Sequence, residues 1–133
     1  MQVVLAVPNY DLRLALELFL GEERGIFVVG SVGDAISALA LVTASLPDLL
    51  VVTWDVPDGS TARLIRETRS LQPAPQVIVL GSDESARAEA LAAGATAFVS
   101  SWGPVPDLLL AIRQCDRRNL ASGQTGSLKL QAG

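Results

Sequence analysis

A chain of 133 residues with 50% hydrophobic and 18% charged side chains has the length for one domain around a single core, and a globular composition instead of a disordered one. Ten bases against fourteen acids give a net charge of −4, and residues 1–112 hold thirteen of those acids and six of the bases, so the folded body is acidic, which argues against nucleic acid as its direct partner. One cysteine, Cys115, and no histidine exclude an internal disulfide and a zinc-type site, and no run of about 18 apolar residues is present to span a membrane.

Met1 leads straight into a strand, without the basic and apolar regions of a signal peptide, so the expected location is the cytoplasm. Val3 to Val7 reads as a short strand ended by Pro8. Asn9 or Asp11 caps the helix that follows, with Leu12, Leu16 and Phe19 on one side and Gly21 and Gly25 bracketing its exit. Ile26 to Val29 predicts a second strand, closed by Gly30. Asp34 caps a second helix with Ile36, Leu39, Ala40 and Leu46 as its buried stripe, and Pro47 stops it. Leu49 to Val52 is an unbroken apolar run between turn formers, the pattern of a strand buried on both faces.

A third helix runs from about Thr61 to Leu71 and ends at Gln72-Pro73. Gln76 to Leu80 is the fourth strand. Ser82 or Asp83 caps an alanine-rich helix ending at Gly94, which suits a left-handed C-cap. Ala97 to Val99 is a short fifth strand. Pro104 and Pro106 open a last helix carrying Leu108, Leu109 and Ile112. Strict β-α alternation implies an α/β domain with a doubly wound parallel sheet and right-handed crossovers, and places function beyond the carboxyl end of the central strand, at Thr53, Trp54 and Asp55. That domain covers residues 1–118. Residues 119–133, rich in Gly, Ser, Gln and Ala, read as a flexible linker or tail.

Four stretches carry a family likeness: VVGSVGDAISAL, PDLLVV, VIVLGS and ALAAGATAFVSS, the last followed by VPDLLLAIR. From residue 2 to about 116 the chain resembles the receiver domain of bacterial response regulators, the CheY-like (flavodoxin-like) fold, and its pattern is similar to receivers that precede a helix-turn-helix output domain. The resemblance implies a five-stranded sheet in the order 2-1-3-4-5 with helices on both faces. It also implies a site. The phosphoacceptor aspartate of the family falls on Thr53, the acidic pair that holds magnesium on Val7 and Pro8, the hydroxyl after the fourth strand on Gly81 beside Ser82, and the lysine after the fifth strand on Ser101.

All of those positions depart from the family pattern. Phosphoryl transfer depends on charge neutralisation by a metal and a cation, and magnesium is held through carboxylates and phosphate. Here neutral side chains replace them, and a threonine hydroxyl without a base is a weak nucleophile. The expectation is a degenerate pseudo-receiver with no catalytic residue, no metal site and no cofactor.

Several features carry two readings. Asp55 becomes the acceptor if the register slips by two, against the spacing set by Pro47 and Pro57; otherwise it is a solvated loop acid. Thr53, Ser82, Ser100 and Ser101, flanked by Trp54 and Trp102, form either a small-ligand pocket or an old active site filled in by its own side chains. Arg63, Arg66 and Arg69 make a solvated face or a docking stripe. The alanine-rich fourth helix packs closely on the sheet or on another helix. Phe98, at the family's switch aromatic, reads as fixed core, and Cys115 as an apolar filler. These residues predict a phosphorylation-independent, non-enzymatic module acting by protein-protein contact on a partner or output domain, with homodimerisation through the fourth helix, fifth strand and fifth helix as in relatives. The alternative is a small-molecule sensor using the carboxyl-edge pocket, with Trp54, Trp102 and Phe98 as contacts.

Overall fold

Runs of branched residues between turn formers pair side by side because each buries both faces and leaves only its backbone to be satisfied. The computed structural model describes residues 1–55, 61–100 and 107–115. In chain order these form β1 (Gln2–Ala6), α1 (Tyr10–Gly21), β2 (Phe27–Val32), α2 (Ala35–Ser45), β3 (Leu49–Thr53), α3 (Thr61–Arg69), β4 (Gln76–Gly81), α4 (Arg87–Ala93, entered through a 3-10 turn at Glu84–Ala86), β5 (Ala97–Ser100) and a helix at 107–115, α5. The sheet has five parallel strands in the order β2-β1-β3-β4-β5. The order reverses between β1 and β3, so a crevice opens where their carboxyl ends diverge.

Alternation along the strands divides the core in two. Val3, Leu5, Leu49, Val51, Ile78 and Leu80 meet α1 and α5; Val4, Ala6, Leu50, Val52, Val77 and Val79 meet α2, α3 and α4. β3 is buried at every position, as a central parallel strand requires. Cys115 is 1% exposed within the α1/α5 layer, an apolar filler as expected.

Helix ends follow their caps. Asn9, not Asp11, caps α1 by accepting from the Leu12 N–H at 2.9 Å, and Asp34 caps α2 by accepting from the Ser37 N–H at 2.7 Å. Asp83, not Ser82, accepts from the Ser85 N–H to start the turn into α4, and Gly94 ends α4 at φ 118°.

Three expectations fail. Gly30 lies inside β2 instead of closing it. A Cβ there would lie 2.5 Å from Leu41 Cδ2, so the missing side chain is what lets α2 sit against this strand. The stripe on α2 is also shifted: of the expected residues only Leu39 packs against the core, half-buried. Ala38 and Val42 are its buried positions, whereas Ile36 and Leu46 are 71% and 45% exposed and Ala40 faces solvent. Small Ala38 lets the helix approach the sheet, and four-residue spacing brings Val42 onto the same line. The arginines of α3 do not act as one row either. Arg63 pairs with Glu67 at 3.1 Å in the open, but Arg69 turns inward, donates to the Pro75 carbonyl at 2.8 Å and lays its stem along Gly94. Ala86 in the 3-10 turn and Ala90 and Ala93 on α4 meet the core, while Ala88 and Ala92 are exposed.

Candidate functional site

The carboxyl edge of the sheet is built from the last residues of β1, β3 and β4. Parallel pairing sets Thr53 beside Leu80, and Trp54 continues the ladder by donating its N–H to the Leu80 carbonyl at 2.9 Å. Thr61, at the start of α3, donates its hydroxyl to the Trp54 carbonyl at 2.8 Å, tying the chain after β3 to the next helix. Thr53 follows Val51 by two and so faces the α1 side of the sheet. Its side chain is 5% exposed and its Oγ1 has no hydrogen-bond partner.

The end of β1 is closed. Val7 is fully buried, donates its N–H to the Val32 carbonyl at 2.9 Å and packs among the α1/α5 core residues. Its own carbonyl accepts from Arg13 Nη1 at 3.0 Å. That guanidinium also lies against Gly33, where a Cβ would come within 2.8 Å, and its Cζ stands 5.7 Å from the Tyr10 ring centroid. A guanidinium beside Val7 and Pro8 opposes any second cation there.

Gly81 and Phe98 form one unit on the opposite face. A Cβ on Gly81 would lie 2.3 Å from Phe98 Cζ, so the ring occupies the space that a hydroxyl side chain would need. Phe98 is 5% exposed, and Arg87 covers it with Cζ 5.0 Å from the ring centroid while pairing with Glu84 at 2.7 Å. Phe98 is therefore core, as expected, and it sits away from Thr53.

Between α1 and the ends of β3 and β4 lies a cavity of 360 Å³ lined by Asn9, Leu12, Thr53, Trp54, Asp55, Leu80, Gly81, Ser82 and Asp83. Sequence reasoning foresaw Thr53, Trp54, Asp55, Gly81 and Ser82 at this edge. It read Asn9 and Asp83 only as caps, Leu12 only as core and Leu80 only as strand, because a residue's cap or core role hides that its other side faces a crevice. Asp83 is exposed, and the Ser85 backbone N–H holds its carboxyl below the usual aspartate range. Ser100 is exposed at the end of β5 and does not line the cavity. Ser101 and Trp102 lie outside the described residues. Among the described residues, no three acid, cysteine or histidine side chains group as a metal site.

No family model matches the sequence. The signal receiver domain of NarL from Mycobacterium tuberculosis superposes with a TM-score of 0.81 at 23% identity, over 87% of this chain and 95% of that one. The response regulator domain of Thermotoga maritima CheB does so at 0.78 and 23%, over 86% and 95%. The fold is that of response-regulator receiver domains. In sequence, the chain is 32% identical to the DNA-binding transcriptional activator DevR/DosR of M. tuberculosis over 100 residues, 74% of this chain and 46% of that protein. The chain thus spans about half the length of the curated relatives it matches. No described helix is long and apolar enough to cross a membrane.

Proposed function

We propose that this receiver domain signals without phosphorylation, by protein-protein contact with an output domain or partner. The observation that carries the reading is the fully buried Val7 beside Arg13, at the place where the family resemblance puts a magnesium-binding carboxylate. Among the described residues no group of acids able to hold a metal is present, and a guanidinium stands there instead. Thr53 at the acceptor position, and Phe98 filling the space of the hydroxyl at Gly81, support it further. The match to a DNA-binding transcriptional activator over the receiver half supports a transcriptional output, with DNA contact left to that output domain. Exposed Leu91 on α4 and Leu110 on α5 support pairing through the α4-β5-α5 face.

Incubation with acetyl phosphate and magnesium is expected to leave the intact mass unchanged. A hydroxylamine-labile adduct of one phosphate, mapped to Asp55, overturns the reading.

A second reading has its own support. The cavity between α1 and the ends of β3 and β4 has the size of a small-ligand site.

A further inference from the structure

Among the described residues, β2 is an outer strand of the sheet, with β1 on one side and no strand on the other. Natural edges are commonly guarded by a charged residue or a proline, but Phe27–Val32, FVVGSV, carries neither. Phe27 and Val29 are 63% and 41% exposed. The Phe27 N–H donates to the Met1 carbonyl and the Val32 carbonyl accepts from Val7, so alternation turns the backbone groups of Val28 and Ser31 outward. Between them the pairing with β1 shifts by one residue at Val29. Along this edge runs a hollow of 430 Å³, walled by Ile26 to Ser31 and by Glu17 and Gly21 of α1. Its two sides differ. Val28 packs toward α1, where Ser31 donates its hydroxyl to Glu17, the charged residue of the described lining; Phe27 and Val29 alternate onto the α2 side.

We propose that this edge is a docking site for the chain's own residues 127–131, SLKLQ, added beside β2. Leu128 and Leu130 alternate with Lys129 at the period of a strand, and the pattern matches the two sides of the edge: leucines over Phe27 and Val29, Lys129 toward Glu17. The chain reaches. Arg113 on α5 donates to Glu23 and to the Arg24 carbonyl, each at 3.3 Å, so α5 comes down beside the entry to β2. Residues 116–127 cover up to ~40 Å at about 3.3 Å each, about twice the length of the six-residue β2. Charge agrees as well. Residues 116–133 hold three bases and one acid, whereas Glu17 and exposed Glu22 stand at the edge against Arg24. A second copy of the chain fits less well, because the interruption at Val29 leaves too short a free ladder for two β2 strands to pair along their length. The proposal goes beyond the signalling reading and does not depend on phosphorylation.

The test follows hydrogen exchange of the Val28 and Ser31 amides by NMR in the whole chain. Both are expected to exchange at least about threefold more slowly than in the Leu128→Asp/Leu130→Asp variant, with Lys129→Gln between the two. The substituted residues lie beyond α5, and unchanged exchange at Val51 and Val79 in the core strands reports that the fold is kept. Equal exchange at Val28 and Ser31 in the chain and the double variant overturns the proposal. So does protection that is lost on about tenfold dilution, because it assigns the edge to a second copy. Neither result alters the mass expected after acetyl phosphate, so the two readings fail separately.

Discussion

At the scale of single residues, the molecule is most constrained where a side chain is missing. Gly81 carries no φ requirement for glycine, yet a methyl there meets Phe98 at 2.3 Å. Gly81→Ala must therefore push a buried ring outward, with an expected loss of about 1–3 kcal/mol in urea unfolding. Phe98→Leu in the same chain should recover part of that loss, so a double-mutant cycle showing no coupling would refute the close approach. Gly21 is the opposite case. Its added Cβ meets nothing within 4 Å and it lies at the end of a helix, so Gly21→Ala should be neutral or stabilising by about 0.5 kcal/mol. Thr68, fully buried in α3 with an unpartnered hydroxyl, offers a third test. Thr68→Val removes the unsatisfied group at constant shape and should raise stability by about 1 kcal/mol, measured as a shift of the urea midpoint at constant slope.

At the scale of elements, α2 shows how far periodicity reads. Its sequence, AISALALVTAS, is apolar nearly throughout, so no polar face fixes the phase of the buried one. Contact with the sheet decides it, through Ala38 and Val42. Val42→Ala should cost about 1–3 kcal/mol, whereas Ile36→Ala should stay within about 0.5 kcal/mol, as thermal unfolding of both variants will check. α3 is the contrast. Its charged residues alternate with buried Ala62, Leu64, Ile65 and Thr68, and the exposed Arg63–Glu67 pair adds little in open solvent. α1 has a double task that its cap alone does not reveal. Leu16 and Leu20 anchor it to the core, while Asn9 and Leu12 at its start line the cavity.

For the whole molecule, the carboxyl edge joins a closed side to an open one. On the β1 side, Val7 belongs to the core and Arg13 covers its carbonyl; on the β3/β4 side, Thr53, Asp55 and Asp83 border a cavity. Introducing the family's acids through Val7→Asp, Pro8→Asp and Thr53→Asp places two of the three carboxylates at positions that are 0% and 5% exposed. In EDTA the triple variant should lose on the order of 2–5 kcal/mol by denaturant unfolding, from desolvation and mutual repulsion. Magnesium should return part of it by binding the native state. Equal stability in EDTA would mean that the edge is more solvated than its burial indicates.

Much of this was written in the order of the residues. Branched runs at Leu49 to Val52 and Gln76 to Leu80, caps at Asp34 and Asp83, and the turn at Gly94 define a β-α alternation that sterics and chain handedness convert into one topology. The sequence also placed Thr53, Trp54, Asp55, Gly81 and Ser82 at the carboxyl edge, because each stands at a fixed distance from a strand end. Only the tertiary structure decided which side of α2 faces inward, that Phe98 fills the space above Gly81, that Arg13 reaches the Val7 carbonyl, and that Thr53 is left without a partner at a cavity. Those outcomes depend on contacts between segments far apart in the chain, where packing and hydrogen-bond satisfaction are settled by distance in space and leave no period in the sequence.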